Sequence, residues 1–264
     1  MKKLFIISIV SVLFLFQNNL QAQVALLPYA QVGYGFWFSK SKDIASFLNS
    51  YNAVQGNSLS SGFKDKTGLL TGFKGALGVR LKFNKRYLDM ALTGSQLKAT
   101  QNSATFKSGD RRILDLYCND YGFDFGFGWG KRATFGFVFN MCVQNAYVRT
   151  GFEYANGTVS YGNSHNLNGV YHGNRLGLFS GINVQVPVLR FASIGIDLGW
   201  YGTMLPADKF TYSDLAEHKA VISYLPRDYG VTLSDPYTTE NDAVNDLKGL
   251  RFDINLRFHL PYNE

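Results

Sequence analysis

The segment Leu250-Arg251-Phe252-Asp253-Ile254-Asn255-Leu256-Arg257-Phe258-His259-Leu260 is the part of the chain that decides its fold. Every even-numbered residue in it is apolar and every odd-numbered residue is polar. Successive side chains of a β-strand point to opposite faces, so a period of two predicts a strand with one apolar and one polar face.

Seven further segments alternate in the same way, and several of their apolar faces are rich in aromatic residues. Phe135, Phe137 and Phe139, for example, alternate with small or polar positions such as Gly136 and Asn140. The seven segments are residues 30–38, 70–83, 87–93, 117–129, 133–147, 175–186 and 191–201. Together with the last segment they predict eight strands.

The connections between these segments alternate between long and short. The short ones are residues 84–85, 130–132 and 187–190, and the long ones are residues 39–68, 94–116, 148–174 and 202–249. Short turns on one side and long loops on the other are typical of outer-membrane barrels. We therefore expect an all-β, eight-stranded antiparallel up-and-down transmembrane β-barrel with long extracellular loops and both chain ends on the periplasmic side.

The polar faces favour a membrane barrel over a soluble β-sandwich or barrel. An eight-stranded barrel encloses a space that side chains just fill. Five phenylalanine-rich strands would not pack inside it, so their aromatic faces are expected to contact lipid. The sandwich remains the competing interpretation, because a sandwich edge tolerates strong alternation.

The first residues read as an export signal. Lys2 and Lys3 precede the uncharged apolar run 4–16, and Leu20-Gln21-Ala22 offers a small residue before a cleavage point. We expect a signal peptide over residues 1–22 and a barrel over residues 23–264. The net charge of +7 then suggests anionic lipid head groups as partners, since an exported chain does not meet nucleic acid.

From about residue 24 to its end the chain resembles the small eight-stranded outer-membrane barrels of the OmpA transmembrane and OmpX type, and the wider family that includes PorT-like proteins. The resemblance rests on the export signal, the eight segments and the ending Phe258-His259-Leu260-Pro261-Tyr262, although Asn263-Glu264 follow where an aromatic end is usual. It implies a place in the cell outer membrane, with lipopolysaccharide, the barrel-assembly machinery and other envelope proteins as partners.

Charged residues on the inward faces predict an ion-pair network in the lumen, because charges buried in a narrow barrel are costly unless they pair. If Asn84-Lys85 is a two-residue turn, Arg80 lies opposite Asp89 near the periplasmic mouth. The expected members are Lys74, Arg80, Lys82, Asp89, Asp124, Arg175, Asp197, Arg251, Asp253 and Arg257.

Two further sets of residues carry structural predictions. A five-residue turn from Gly128 to Arg132 would set Cys118 opposite Cys142 and permit a disulfide, whereas a three-residue turn would not. Trp37, Trp129 and Trp200 fall near strand ends and are expected at head-group level. Unpaired cysteines remain the alternative to the disulfide.

No motif predicts catalysis, a cofactor or a metal. Ser164 with His165, His172, and His218 near Asp214 and Glu217 are candidates only as loop residues, and Glu240, Asp242 and Asp246 near Asn241 and Asn245 match no calcium loop. The sequence therefore favours a non-enzymatic barrel with partner- or surface-binding loops and a structural role in the envelope. The alternatives are a conduit or carrier for small or apolar molecules, and a lipid-modifying enzyme at the outer rim.

Overall fold

Eight long antiparallel strands close into a barrel in the computed structural model, which describes residues 24–64, 67–131, 133–161, 167–204, 207–212, 224–230 and 242–259. The strands are β1 (Val24–Lys40), β2 (Leu69–Phe83), β3 (Arg86–Ala99), β4 (Arg111–Trp129), β5 (Thr134–Glu153), β6 (Gly169–Leu189), β7 (Ala192–Thr203) and β8 (Lys248–His259). One helix, α1 (Lys42–Gln55), follows β1. Short strands lie in the long loops at Leu59–Ser61, Asn102–Phe106, Val159–Ser160 and Thr211–Tyr212.

Each strand pairs with the strands before and after it in the chain, and β1 pairs with β8 to close the ring. Tyr34 faces Ile254 across this closing seam, and Leu77 faces Leu92 in the first hairpin. The eight-stranded up-and-down prediction is confirmed. The short turns and both described chain ends lie at one end of the barrel, and the long loops lie at the other.

The burial pattern is inside-out relative to a water-soluble protein. Phe73 and Leu92 on the outer wall are 76% and 71% exposed, whereas Asp253 and Asn255 in the interior are each 1% exposed. Such an apolar belt is stable only in an apolar solvent, and a closed barrel leaves no unpaired strand edge in hydrocarbon. Among the described residues no helix is long and apolar enough to cross a membrane.

Several strands run further toward the long loops than predicted, because the two faces exchange character there. Leu97, Leu116 and Val148 point inward and are buried, while Lys98 and Arg149 lie on the outer wall with partial exposure. This is the pattern expected of a wall surrounded by water. The prediction followed alternation with the apolar face outward. It therefore stopped each segment at the edge of the belt, although the strands continue beyond that edge.

The described parts of the long loops form an apolar plug over this end of the barrel, here called the loop cap. Helix α1 begins after Ser41, whose Oγ accepts a hydrogen bond from Ile44 N at 3.0 Å. The helix buries one stripe of side chains in the cap: Ile44, Phe47, Leu48 and Tyr51. These pack with Phe63 of the same connection and with three residues of the last long loop: Phe210, Leu225 and Leu247.

Candidate functional site

The lumen contains a lower charge cluster next to the short-turn end. The two-residue turn places Arg80 directly opposite Asp89. Arg80 Nε and Nη2 each donate to that carboxylate at 2.7 Å, and Arg257 Nη1 donates to its second oxygen at 2.7 Å. The two guanidiniums also lie over the rings of Tyr87 and Tyr29, at 4.0 and 3.8 Å from the ring centroids. One carboxylate thus holds two arginines that aromatic rings keep in place.

A middle cluster surrounds Lys74 at the centre of the barrel. The Lys74 ammonium lies 3.3 Å from Asp253 Oδ2 and 3.6 Å from oxygens of Asp124 and Asp197. Arg251 joins this group to the layer above, donating to Asp253 at 3.0 Å and to Asp120 at 2.8 Å. Amide side chains complete the bonding of the carboxylates: Asn140 to Asp124, and Asn183 and Asn255 to Asp197.

These two clusters leave almost no free space inside the barrel. The cavities among their side chains are about 10 and 20 Å³, which is room for about one water molecule each. The interior at this level is therefore a packed polar core and not a channel.

Sequence reasoning placed the charged members and the amides Asn140, Asn183 and Asn255 on the inward faces, but it left these amides out of the predicted network and missed Asp120. Asp120 accepts from Ser95, Gln144 and Arg251. Its even number on β4 places it on the same face as Asp124, so extending the alternation by one step above Gly122 would have found it. Alternation also places the amides inward, but it does not show which carboxylate each amide contacts.

Arg175 differs from the other predicted members, because no carboxylate contacts it. It is 4% exposed, and none of its guanidinium nitrogens has a hydrogen-bond partner among the described residues. Its charge lies instead over Tyr201 and Trp37, at 5.3 and 5.9 Å from their ring centroids. The expectation that every lumen charge pairs with an opposite charge is wrong for Arg175.

The predicted disulfide between Cys118 and Cys142 is also wrong. Both thiols are free and buried, and the register sets Cys118 opposite Ala146 and Cys142 opposite Gly122. An offset of four residues separates them by about 13 Å along the strands, well beyond what a disulfide spans.

The turn was predicted with the right odd length but two residues too early. Trp129 pairs with Phe135, so the five-residue turn runs over residues 130–134 and Gly128 still belongs to the paired strands. Gly128 and Gly136 face each other inside the ladder, where an added Cβ on either would lie 2.7 or 2.4 Å from Tyr87 Oη. Close packing of Tyr87 on these two glycines favours continued strand pairing at this point.

We expect both cysteines to resist a thiol reagent in the folded barrel and to react fully once the barrel is unfolded. Mass spectrometry after maleimide treatment should show no adduct in the native state and two adducts in denaturant. The reason is burial, since Cys118 is 0% and Cys142 2% exposed. An unreduced, denatured sample that takes up no maleimide would contradict the free thiols.

The three tryptophans do not share one environment. Trp37 is fully buried against Tyr201, with ring centroids 4.8 Å apart, so its prediction as an interface residue is wrong. Its odd number on β1 points it into the lumen, opposite to the outward Phe36 and Phe38. Trp129 and Trp200 lie on the outer wall with exposures of 49% and 55%, where an anchoring role stays a prediction.

A cavity of about 610 Å³ occupies the mouth of the barrel at the short-turn end and is here called the basic mouth. Its basic lining residues are Arg80, Lys82, Lys131, Arg190, Arg257 and His259, and none of its described lining residues is acidic. Leu27, Pro187 and Leu189 form an apolar part of the wall. Sequence reasoning placed several of these residues inward but did not identify the cavity.

The loop cap seals the opposite end of the lumen. Ser41 Oγ and Lys42 N both donate to Asp246, which ties the start of α1 to the last long loop. Tyr51 packs against Tyr229 with ring centroids 4.9 Å apart, and burial raises the pKa of the Tyr51 phenol above its ordinary value. The phenol therefore stays neutral at physiological pH, so it introduces no buried charge into the cap.

The residues considered for catalysis and metal binding do not assemble into a site within the described part of the chain. His172 packs edge-on against Tyr147, with ring centroids 4.2 Å apart. Asp242 pairs with Lys209 at 3.1 Å, and Asn245 donates to Gly173 O at 2.8 Å. Ser164, His165, Asp214, Glu217, His218, Glu240 and Asn241 lie outside the described residues.

Three features define the structural class of this protein: the closed ring of eight strands, the apolar outer belt and the charged interior. The chain is a small β-barrel protein of the outer-membrane type, and the described side chains pack densely in the middle of its interior.

Comparisons with known proteins agree with this class but add no argument of their own. No family model and no curated protein matches the chain. Similar solved structures include Ail, the attachment invasion locus protein of Yersinia pestis, in complex with the heparin analogue sucrose octasulfate: 11% identity over 89% of this chain and 99% of that chain, TM-score 0.38. Neisserial surface protein A has 9% identity over 89% of this chain and 98% of its own, with a TM-score of 0.34. The outer membrane protease OmpT of Escherichia coli has 8% identity over 90% of this chain and 96% of its own, with a TM-score of 0.31.

Proposed function

We propose that this chain is a non-conducting, non-enzymatic protein of the cell outer membrane whose folded outer loops present a binding surface. In this proposal residues 1–22 are a cleaved export signal and residues 23–264 form the mature barrel. Residues 1–23 lie outside the described part of the chain, so the signal stays a prediction. The barrel-assembly machinery is the partner expected during insertion.

The observation that carries the proposal is the double closure of the lumen. The two charge clusters fill the middle of the barrel, and the apolar loop cap covers the long-loop end. Conducting a solute would require breaking buried ion pairs, which costs several kcal/mol for each charge left without a partner. This favours a structural and binding role over that of a conduit or carrier.

We expect the purified barrel to insert into planar lipid bilayers without producing conductance steps. Insertion is checked independently by the heat-dependent gel shift of barrel recovered from the same membranes. Reproducible steps from the wild-type protein, scaling with the inserted amount, would contradict a closed lumen and revive the conduit.

Exposed lysines at the long-loop end support lipopolysaccharide as one partner. Lys40, Lys42, Lys64 and Lys107 are exposed, and none of them forms an ion pair within the described ranges. Such lysines attract the anionic groups of the outer leaflet, and other envelope proteins remain further candidates for the loops.

The Lys40→Gln/Lys64→Gln variant is expected to bind lipopolysaccharide more weakly than a Lys40→Arg/Lys64→Arg control, in a salt-dependent manner. Equal binding by both variants would argue against this contact.

A further inference from the structure

We propose that the basic mouth is a binding site for a phosphate ester that carries a short apolar group. The site opens at the end opposite the loop cap, on the periplasmic side in the topology inferred above. It is separate from the outer-loop surface, so the two proposals are independent.

The charge of the basic mouth is the first observation. Five lysine and arginine side chains line it, namely Arg80, Lys82, Lys131, Arg190 and Arg257, together with His259. Among the described residues, Asp89 is the carboxylate that accepts from both Arg80 and Arg257. With Lys82 and His259 left out of the count, one carboxylate still does not balance Arg80, Lys131, Arg190 and Arg257, so the cavity attracts anions.

Both arginines line the basic mouth, and each keeps one terminal guanidinium nitrogen outside its described hydrogen bonds. Arg80 uses Nε and Nη2, and Arg257 uses Nε and Nη1, in their hydrogen bonds to Asp89, Gln185 and Gln31. Arg80 Nη1 and Arg257 Nη2 have no hydrogen-bond partner among the described residues. Stacking on Tyr87 and Tyr29 holds both guanidiniums in fixed orientations, so binding costs little additional side-chain entropy.

The number of donors favours a phosphate group over a carboxylate. A phosphate monoester carries a charge of about −1.5 to −2 near neutral pH and offers three acceptor oxygens. The unused terminal nitrogens of Arg80 and Arg257 and the ammonium of Lys131 together provide more N–H donors than a single carboxylate can use. A dianion therefore satisfies this set better than a monoanion.

The remaining wall selects for an apolar substituent. Leu27, Pro187, Val188 and Leu189 line the cavity beside the basic residues. The volume of about 610 Å³ lies within the range of ordinary ligand pockets. It exceeds what one phosphate group needs, so part of the ligand is expected to contact this apolar wall.

Calorimetric titration of the full-length barrel in a non-ionic maltoside detergent tests the proposal with hexyl phosphate as the probe. We expect hexyl phosphate to bind at least about tenfold more tightly than inorganic phosphate, and hexanol to show no binding. The Lys131→Gln/Arg190→Gln variant should weaken hexyl phosphate binding at least about tenfold, since it removes two charges from the mouth and leaves the Asp89 cluster intact.

The matched control is Lys40→Gln/Lys64→Gln, which removes the same charge from the long-loop end and should leave the affinity unchanged. Dihexanoyl phosphatidic acid separates two sources of the same chemistry: tighter binding of this lipid identifies a membrane head group, and tighter binding of hexyl phosphate identifies a soluble ester. The proposal is overturned if hexyl phosphate does not bind, if hexanol binds as well, or if both double variants lose affinity equally.

Discussion

Replacing Asp89 with alanine is expected to destabilise the barrel by about 3–5 kcal/mol, because the change leaves the buried guanidinium of Arg257 and the partly buried guanidinium of Arg80 without their carboxylate. Asp89 bonds Arg80 through two nitrogens and Arg257 through a third. The measurement is the temperature at which the folded band converts to the unfolded band on a gel, followed by a denaturant titration for the free energy.

The control is Glu153→Ala, which breaks the Arg111–Glu153 pair on the outer wall above the belt. That pair has an N–O distance of 3.0 Å, but its arginine side chain is 40% exposed, so its loss should cost no more than about 1 kcal/mol. If Asp89→Ala and Glu153→Ala unfold at the same temperature, the lower cluster does not contribute the stability claimed for it.

Replacing Lys74 with methionine is expected to have an effect of similar size, about 3–5 kcal/mol, because the carboxylates of Asp124, Asp197 and Asp253 then repel one another without the ammonium. The same gel-shift and denaturant measurements apply. Lys98→Met is the matched control, since Lys98 is half-exposed and lies 4.0 Å from Asp115, and it should cost less than about 1 kcal/mol.

A second substitution distinguishes repulsion from simple loss of packing. Asp197→Asn removes one of the three negative charges, and the Oδ1 atoms of Asn183 and Asn255 have no partner in the described structure. Rotation of one of those amides lets it accept from the introduced NH2 group, while the other amide still donates to the remaining oxygen, so the substitution is accommodated. The Lys74→Met/Asp197→Asn variant is expected to be more stable than Lys74→Met alone. Equal or lower stability of the double variant would show that repulsion is not the cause.

Residue pattern alone predicts the two faces of a strand inside the lipid belt, but not above it. In the last strand, the residues from Leu250 to Phe258 alternate within the belt, and both faces were assigned correctly. Trp37 was assigned to the interface from its place near a strand end, although its odd number places it on the inward face of β1. Above the belt water surrounds the outer wall, so the apolar side chains face the lumen and pack beneath the loop cap.

Among the ion pairs, a local turn sets one contact, whereas closure of the whole ring sets the others. The partnership of Arg80 and Asp89 follows from a two-residue turn, because such a turn sets the register of the strands beside it. The bonds from Arg257 to Asp89 and from Arg251 to Asp120 join residues 168 and 131 positions apart in the chain. They depend on the closure and stagger of the whole ring, which no local pattern reports.

The sequence by itself determined that the chain forms eight alternating strands with an apolar face toward lipid, because alternation and turn length are local properties of the backbone. Only the tertiary structure decided the register of β4 against β5, which separates Cys118 from Cys142, and the packing of Arg175 against Trp37 and Tyr201. It also assembled the basic mouth from the ends of strands far apart in the chain. These features arise from ring closure, which brings together side chains that sequence spacing does not relate.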